Sequence, residues 1–194
     1  MSPTNAAGDN PDNVVTRWFG PAFYQLHPLL QALHHRGGIL CGDIAIDTGG
    51  GLAGLIGRRL ARRLGMPLGR SRCGFEVQIV HEADALLWRR RFDDGGMMIS
   101  RFVGNGHFPT GSWTEQTGPL QLSLGVNIVD GGWRWRLREA RWHGLRVPLA
   151  LLPRSRAGKH IVDGRYAFEV EFRLPLLGRV LRYGGLLDAQ PADP

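Results

Sequence analysis

Two rhythms of apolar and polar residues divide the chain. In the first third, apolar side chains return every three or four positions; from Cys73 onward they alternate with polar ones. The first spacing marks one face of a helix, and the second marks a strand with one buried side. In residues 20–38, GPAFYQLHPLLQALHHRGG, the residues Phe23, Leu26, Leu30 and Leu33 recur at helical spacing. Pro21 suits a first helical position, where its missing N–H costs nothing, and Gly37-Gly38 stops the helix. Pro28 demands a kink or a second start. His34, near the helix end, is placed to cap carbonyls. Residues 38–46, GILCGDIAI, predict a first strand. A second helix is expected over residues 49–67, with Leu52, Leu55, Ile56, Leu60 and Leu64 on one face. Arg58, Arg59, Arg62 and Arg63 occupy the other face, and Gly65 and Pro67 end the helix.

The alternating part predicts a run of hairpins. Phe75, Val77 and Ile79 mark one strand. Leu86 to Phe92 and Met97 to Val103 pair across Asp93-Asp94-Gly95-Gly96. Leu120 to Ile128 and Trp133 to Leu137 flank Asp130-Gly131-Gly132. Tyr166, Phe168, Val170 and Phe172 follow Asp163-Gly164, and a last short strand runs from Arg179 to Gly184. The segment RSRAGKH, which contains Lys159, reads as a polar basic loop with a solvated amine. The expected fold class is therefore α+β: N-terminal helices, then a strongly curved antiparallel sheet of about eight or nine strands in a barrel or half-barrel. Closure is expected because it removes exposed strand edges. Residues 14–187 form one expected domain, between disordered tails at 1–13 and 188–194.

Charge and cysteine content narrow the classes. The net charge is +7, and Lys159 is the single lysine among 24 basic residues. An arginine surface of this kind is a solvated face or attracts an anionic partner. Cys41 and Cys73 lie far apart without CxxC spacing, which fits a reducing compartment and argues against zinc. The polar N-terminus has no signal-peptide pattern, and no apolar run reaches the roughly 20 residues of a membrane span. The expectation is a cytoplasmic protein without a transmembrane segment.

The candidate site comes from WRRRF, residues 88–92. On a strand, Trp88, Arg90 and Phe92 share one face, and Arg89 and Arg91 share the other. If the aromatics face the core, so does Arg90, and a buried guanidinium needs a partner. Glu115 or Asp43 can supply one, with Trp88 stacked on the guanidinium. Alternatively Arg90 anchors a ligand carboxylate or phosphate at the floor of an apolar pocket. Arg90, Trp88, Phe92, Glu115, Tyr166 and Phe168 are the expected ligand-binding residues. The seven histidines show no metal spacing, no cofactor is expected, and no hydrolase or phosphate-loop motif stands in its required frame. Arg134, Arg136 and Arg138 alternate with Trp133 and Trp135. Nucleic-acid sheets place basic and aromatic groups on one exposed face, so this pattern makes nucleic acid a weak expectation.

The ordered series Leu33-His34, Trp88-x-Arg90-x-Phe92, Gly118-Pro119, Pro148-Leu149, Gly164-Arg165-Tyr166-x-Phe168 and Leu174-Pro175-Leu176 resembles the bacterial "domain of unknown function 4166" family. The resemblance spans roughly residues 20–187. Leu86 stands where that family often has an acidic residue, and Thr48-Gly49 where it tends to carry Arg-Gly. Some members resemble C-terminal partners of dinucleotide-binding reductase domains, and the resemblance implies no catalytic residues. The functional expectation is non-catalytic binding of a small, largely apolar ligand with an acidic group. The alternatives are an accessory module docking a reductase, or nucleic-acid binding through the arginine face.

Overall fold

The computed structural model of the protein describes residues 13–193. The tail expected at 1–13 lies outside the described residues except for Asn13, which caps helix α1 (Val14–Phe19). Its side-chain oxygen accepts from the backbone N–H of Val15 and Thr16, and the Thr16 hydroxyl closes a capping box. A 3-10 turn (Gly20–Gln25) follows, with Pro21 at its start. Pro28 then opens helix α2 (Pro28–Arg36). The single helix expected over 20–38 is thus split, with Pro28 as the second start.

Among the described residues the sheet has eleven strands: β1 (Gly38–Thr48), β2 (Arg72–His81), β3 (Leu86–Phe92), β4 (Met97–Asn105), β5 (Ser112–Thr117), β6 (Leu120–Val129), β7 (Gly132–Trp142), β8 (Leu145–Val147), β9 (Arg154–Val162), β10 (Arg165–Leu174) and β11 (Gly178–Pro191). Helix α3 (Gly51–Arg63) lies between β1 and β2. Every pairing is antiparallel, in the order β6-β5-β4-β3-β2-β1-β11-β10-β9-β7, and β7 also pairs with β6. Ten strands therefore close a barrel, and β8 extends one flank of β7. The seam is uneven. β7 and β6 pair from Val129–Gly132 to Leu120–Trp142, whereas β7 and β9 meet only at Trp133–Lys159, Arg134–Gly158 and Trp135–Ala157.

The strands beyond the expected eight or nine break the apolar rhythm. β5 turns Glu115 inward, β9 turns Ser155 and Lys159 inward, and β8 has three residues. The segment expected as a loop around Lys159 is therefore a barrel stave. The C-terminal tail expected at 188–194 is also corrected. Residues up to Pro191 continue β11, with Cys41 facing Asp188 and Gly38 facing Pro191 on β1. Backbone pairing holds this stretch, so its side chains carry no apolar signal.

Helices α1 and α2 close one end of the barrel. Trp18 packs on Trp113 at 5.4 Å and donates its indole N–H to the Asn105 carbonyl, while Leu30, Leu33 and His34 are fully buried. Helix α3 packs along β11, and the turn after it meets the β3–β4 turn at Gly65 and Gly96. Its buried face is only partly the expected one: Ile56, Leu60 and Leu64 pack half-buried against the core. Leu52 and Leu55 are exposed, and Ala53, Gly54, Gly57 and Ala61 are buried. Small residues win because the helix lies almost on the β11 backbone: a Cβ on Gly57 would sit 1.9 Å from the Val180 carbonyl oxygen. Gly57→Ala is expected to lose about 1–3 kcal/mol through forced displacement, outweighing the gain in helix propensity. Leu55→Ala should change little. Thermal melting of both variants checks this; a Gly57→Ala protein as stable as wild type would mean the close contact is absent.

Candidate functional site

Strand parity sends the WRRRF side chains where the sequence predicts. Arg89 and Arg91 are exposed, and Arg91 pairs with Glu76 at 2.8 Å. Trp88 and Arg90 line a cavity of about 150 Å³ inside the barrel. Its wall is largely apolar, part aliphatic and part aromatic, with the rings of Trp88, Phe102, Trp113, Trp133 and Trp135 in it, and Leu64 after α3 reaches it. Its polar groups are Arg90, Glu115, Thr117, Ser155 and Lys159. A smaller void of about 70 Å³ shares Trp88, Arg90, Trp135 and Lys159 and is bounded by Tyr166 and Phe168. Five of the six predicted residues thus border these voids. Phe92 does not; it is buried against Phe75, with ring centroids 5.1 Å apart.

The Arg90 guanidinium lies 5.2 Å from the Trp88 ring centre, a cation–π distance. It donates to the Ser100 hydroxyl at 2.7 Å. Ser100 and Thr117 share a hydrogen bond of 2.6 Å, and Thr117 donates weakly to Glu115 at 3.4 Å. Among the described residues, no carboxylate lies within ion-pair distance of Arg90. The expected partnership therefore needs correcting: Glu115 connects to Arg90 only through two hydroxyls. Asp43 is exposed on β1. A half-buried guanidinium held by one neutral oxygen keeps most of its five donors available.

The larger correction concerns Lys159 and His34. Lys159 is 4% exposed, and its Nζ lies 2.7 Å from His34 Nε2. Three indoles surround the amine, with Nζ 3.9 Å from the Trp133 ring centre, 4.6 Å from Trp88 and 5.9 Å from Trp135. His34 is fully buried inside the mouth closed by α2, so it is no carbonyl cap; its ring stacks on Trp88. Burial, reinforced by the Arg90 charge, holds the Lys159 amine well below the ordinary lysine range. Burial, and then Lys159 itself, lowers His34 likewise. Burial pushes the Tyr183 phenol up to about 12 and raises that of Tyr166 further.

The indole N–H groups of Trp88, Trp113 and Trp133 are buried and have no acceptor among the described residues. Buried indoles usually find one, so the cavity wall carries donors as well as apolar surface. The chemistry available is recognition of an apolar body bearing oxygen: rings for the body, a guanidinium and indole N–H groups for the oxygens.

A family model described as Domain of unknown function (DUF4166) matches residues 26–187. The chain belongs to this family. The DUF4166 match runs from the end of the 3-10 turn to β11, taking in α2, with His34, and every barrel strand that lines the cavity. A search of curated proteins found no match.

Sequence reasoning missed Lys159, His34, Ser100 and Tyr183. A signal for Lys159 existed: in residues 154–161, Ser155, Ala157, Lys159 and Ile161 alternate with Arg154, Arg156 and His160. Apart from Ile161 the inward set is small or charged, so a search for alternating large apolar residues passes over it. His34 carried no signal, because its partner lies 125 positions away. Trp133 turns inward while Arg134 and Arg136 remain exposed on the outer face, the separation expected from their alternation. No described helix is long and apolar enough to cross a membrane.

Proposed function

We propose that the barrel binds a small, largely apolar monocarboxylate in its interior, with the carboxylate held by Arg90. The observation that carries this reading is the half-buried guanidinium facing an apolar cavity with no described carboxylate in ion-pair contact; Glu115, which lines the same cavity, reaches it only through Thr117 and Ser100. A cationic fork in an apolar chamber favours an anionic, planar acceptor over water, because bidentate charge-assisted hydrogen bonds strengthen away from solvent. Cavity size limits the ligand. An apolar void of about 150 Å³ holds a molecule the size of benzene, and the adjoining void adds room for a short substituent. Benzoate and short branched-chain acids fit this description; a long acyl chain does not. Entry is through the weakly paired β7–β9 seam, where Trp135, Ala157 and Lys159 border both the interior and a surface cleft.

The test is calorimetric titration with benzoate and with its neutral isostere benzamide. Benzoate should bind better than benzamide, and Arg90→Gln should weaken benzoate at least about tenfold, since a hydrogen bond to a charged group is worth about 1.5–3 kcal/mol. Benzamide should be indifferent to that substitution. Equal binding of acid and amide, or no binding of either, would remove the reading.

A further inference from the structure

We infer that Lys159 is a carbonyl-capturing amine, and that the cavity takes a small oxo acid which condenses with Lys159 Nζ to an imine while Arg90 holds its carboxylate. This inference rests on the binding reading above and adds the class of ligand. Its basis is a coincidence of position. The one lysine of the chain is placed on β9 facing inward, where strand parity and Trp133–Lys159 register put its amine in the cavity wall. No described carboxylate is in ion-pair contact with it, although Glu115 lines the same cavity, and three indoles and one imidazole are its close neighbours. A lysine with only a structural role would gain more from a carboxylate, or from replacement by an apolar side chain of similar length. An amine desolvated beside another cation is the arrangement that keeps its lone pair free to attack. Arg90 is that cation, and it borders both voids that Lys159 borders.

The condensation balances without any further reagent. The Nζ lone pair forms a C–N bond to the carbonyl carbon, and the carbonyl π pair moves to oxygen. Nζ gives up a proton and the oxygen gains one, producing a carbinolamine. The C–O bond then breaks, water leaves, and Nζ loses its second proton as the C=N bond forms. When the His34 proton resides on Nδ1, Nε2 at 2.7 Å is free to accept the proton from Nζ and return it to the departing oxygen. The dry aromatic wall slows hydrolysis of the product. The reverse reaction releases the oxo acid unchanged, so the site is one of reversible covalent capture.

The experiment treats the full-length protein with phenylglyoxylate and cyanoborohydride at neutral pH, followed by intact mass and peptide mapping. The expected result is a single reduced adduct on Lys159, absent from Lys159→Arg and from the denatured wild type. Because the chain has only one lysine, any adduct on the terminal amine is separated by mapping. His34→Gln should slow trapping at least about tenfold without abolishing it; an unchanged rate would remove His34 from the chemistry. If Lys159 stays unmodified while benzoate still binds in an Arg90-dependent way, the imine inference is overturned and the binding reading stands. If benzoate also fails to bind, both fall.

Discussion

Trp133→Ala is expected to destabilise the protein by about 3–5 kcal/mol, the range for emptying a large aromatic site in a core. Trp133 is 1% exposed. Its ring lies 4.7 Å from Phe19 on α1, 4.9 Å from His34 on α2, 5.0 Å from Trp135 and 6.2 Å from Trp113 on β5. It also pairs with Lys159 in the short β7–β9 seam. One side chain thus holds both end-closing helices and the weakest closure of the barrel, so the site has little freedom to collapse around the loss. For a chain of this length each kcal/mol lowers the melting temperature by about 2–4 °C, so a fall of about 10 °C is the expected reading. Amide exchange in β9 should accelerate more than in β2, which lies across the barrel. A loss below about 1 kcal/mol would mean that the seam and helices do not depend on this ring.

Lys159→Met is expected to stabilise the protein at pH 7 and to remove a pH dependence that the wild type carries. The sign follows from the lowered amine. As pH falls from the alkaline side, the unfolded chain takes up its lysine proton near 10.5 while the folded chain stays neutral. The unfolded state then binds more protons, so wild-type stability rises with pH between the folded value and 10.5. The slope for one proton is roughly 1.4 kcal/mol per pH unit at most. Tyr166 and Tyr183 act oppositely. Their raised phenols withdraw stability once pH exceeds 10, where the unfolded tyrosines ionise first. Cys73 opposes the slope from a lower pH: burial pushes its thiol up to about 11, so the unfolded chain loses that proton first as pH approaches 9. The clean window is therefore about pH 7 to 8. His34, lowered below 6.5, adds a loss of stability on the acid side.

Urea unfolding across the window should give a rising line for wild type and a flat, higher one for Lys159→Met. A flat wild-type line would show that the amine stays charged in the fold. The three indoles would then be holding a cation, and Lys159→Met would be destabilising. Desolvation of a fully buried ion costs several kcal/mol. Trp133 at 3.9 Å and Trp88 at 4.6 Å are both within cation–π range, but Trp88 is shared with the Arg90 guanidinium, and an aromatic contact returns about 2 kcal/mol when desolvated. Burial is expected to win, and Arg90 acts in the same direction.

The helices illustrate where local pattern is sufficient and where it misleads. The Pro28 second start was legible because a proline's missing N–H is a local fact. The buried face of α3 was legible only in part. Leucines at helical spacing normally mark the core side, and Ile56, Leu60 and Leu64 do pack there, but Leu52 and Leu55 are exposed and the closest approach to β11 is made by small residues. Gly54, Gly57 and Ala61 are buried because of what lies opposite, which no helical spacing reports.

The site divides in the same way. From order alone the chain determined the antiparallel hairpins, the inward turn of Trp88 and Arg90, and the apolar lining to which Tyr166 and Phe168 belong. All of these follow from a period of two and from turn residues a few positions apart. Only the tertiary structure decided that ten strands close, that β9 is one of them, and that Arg90 meets Ser100 instead of a carboxylate. It also brought His34 and Lys159 within 2.7 Å across 125 residues. Side-chain direction along a strand is set by each residue's neighbours in the chain. Which polar groups then share the enclosed space is set by barrel closure, and that depends on pairing partners far away in sequence.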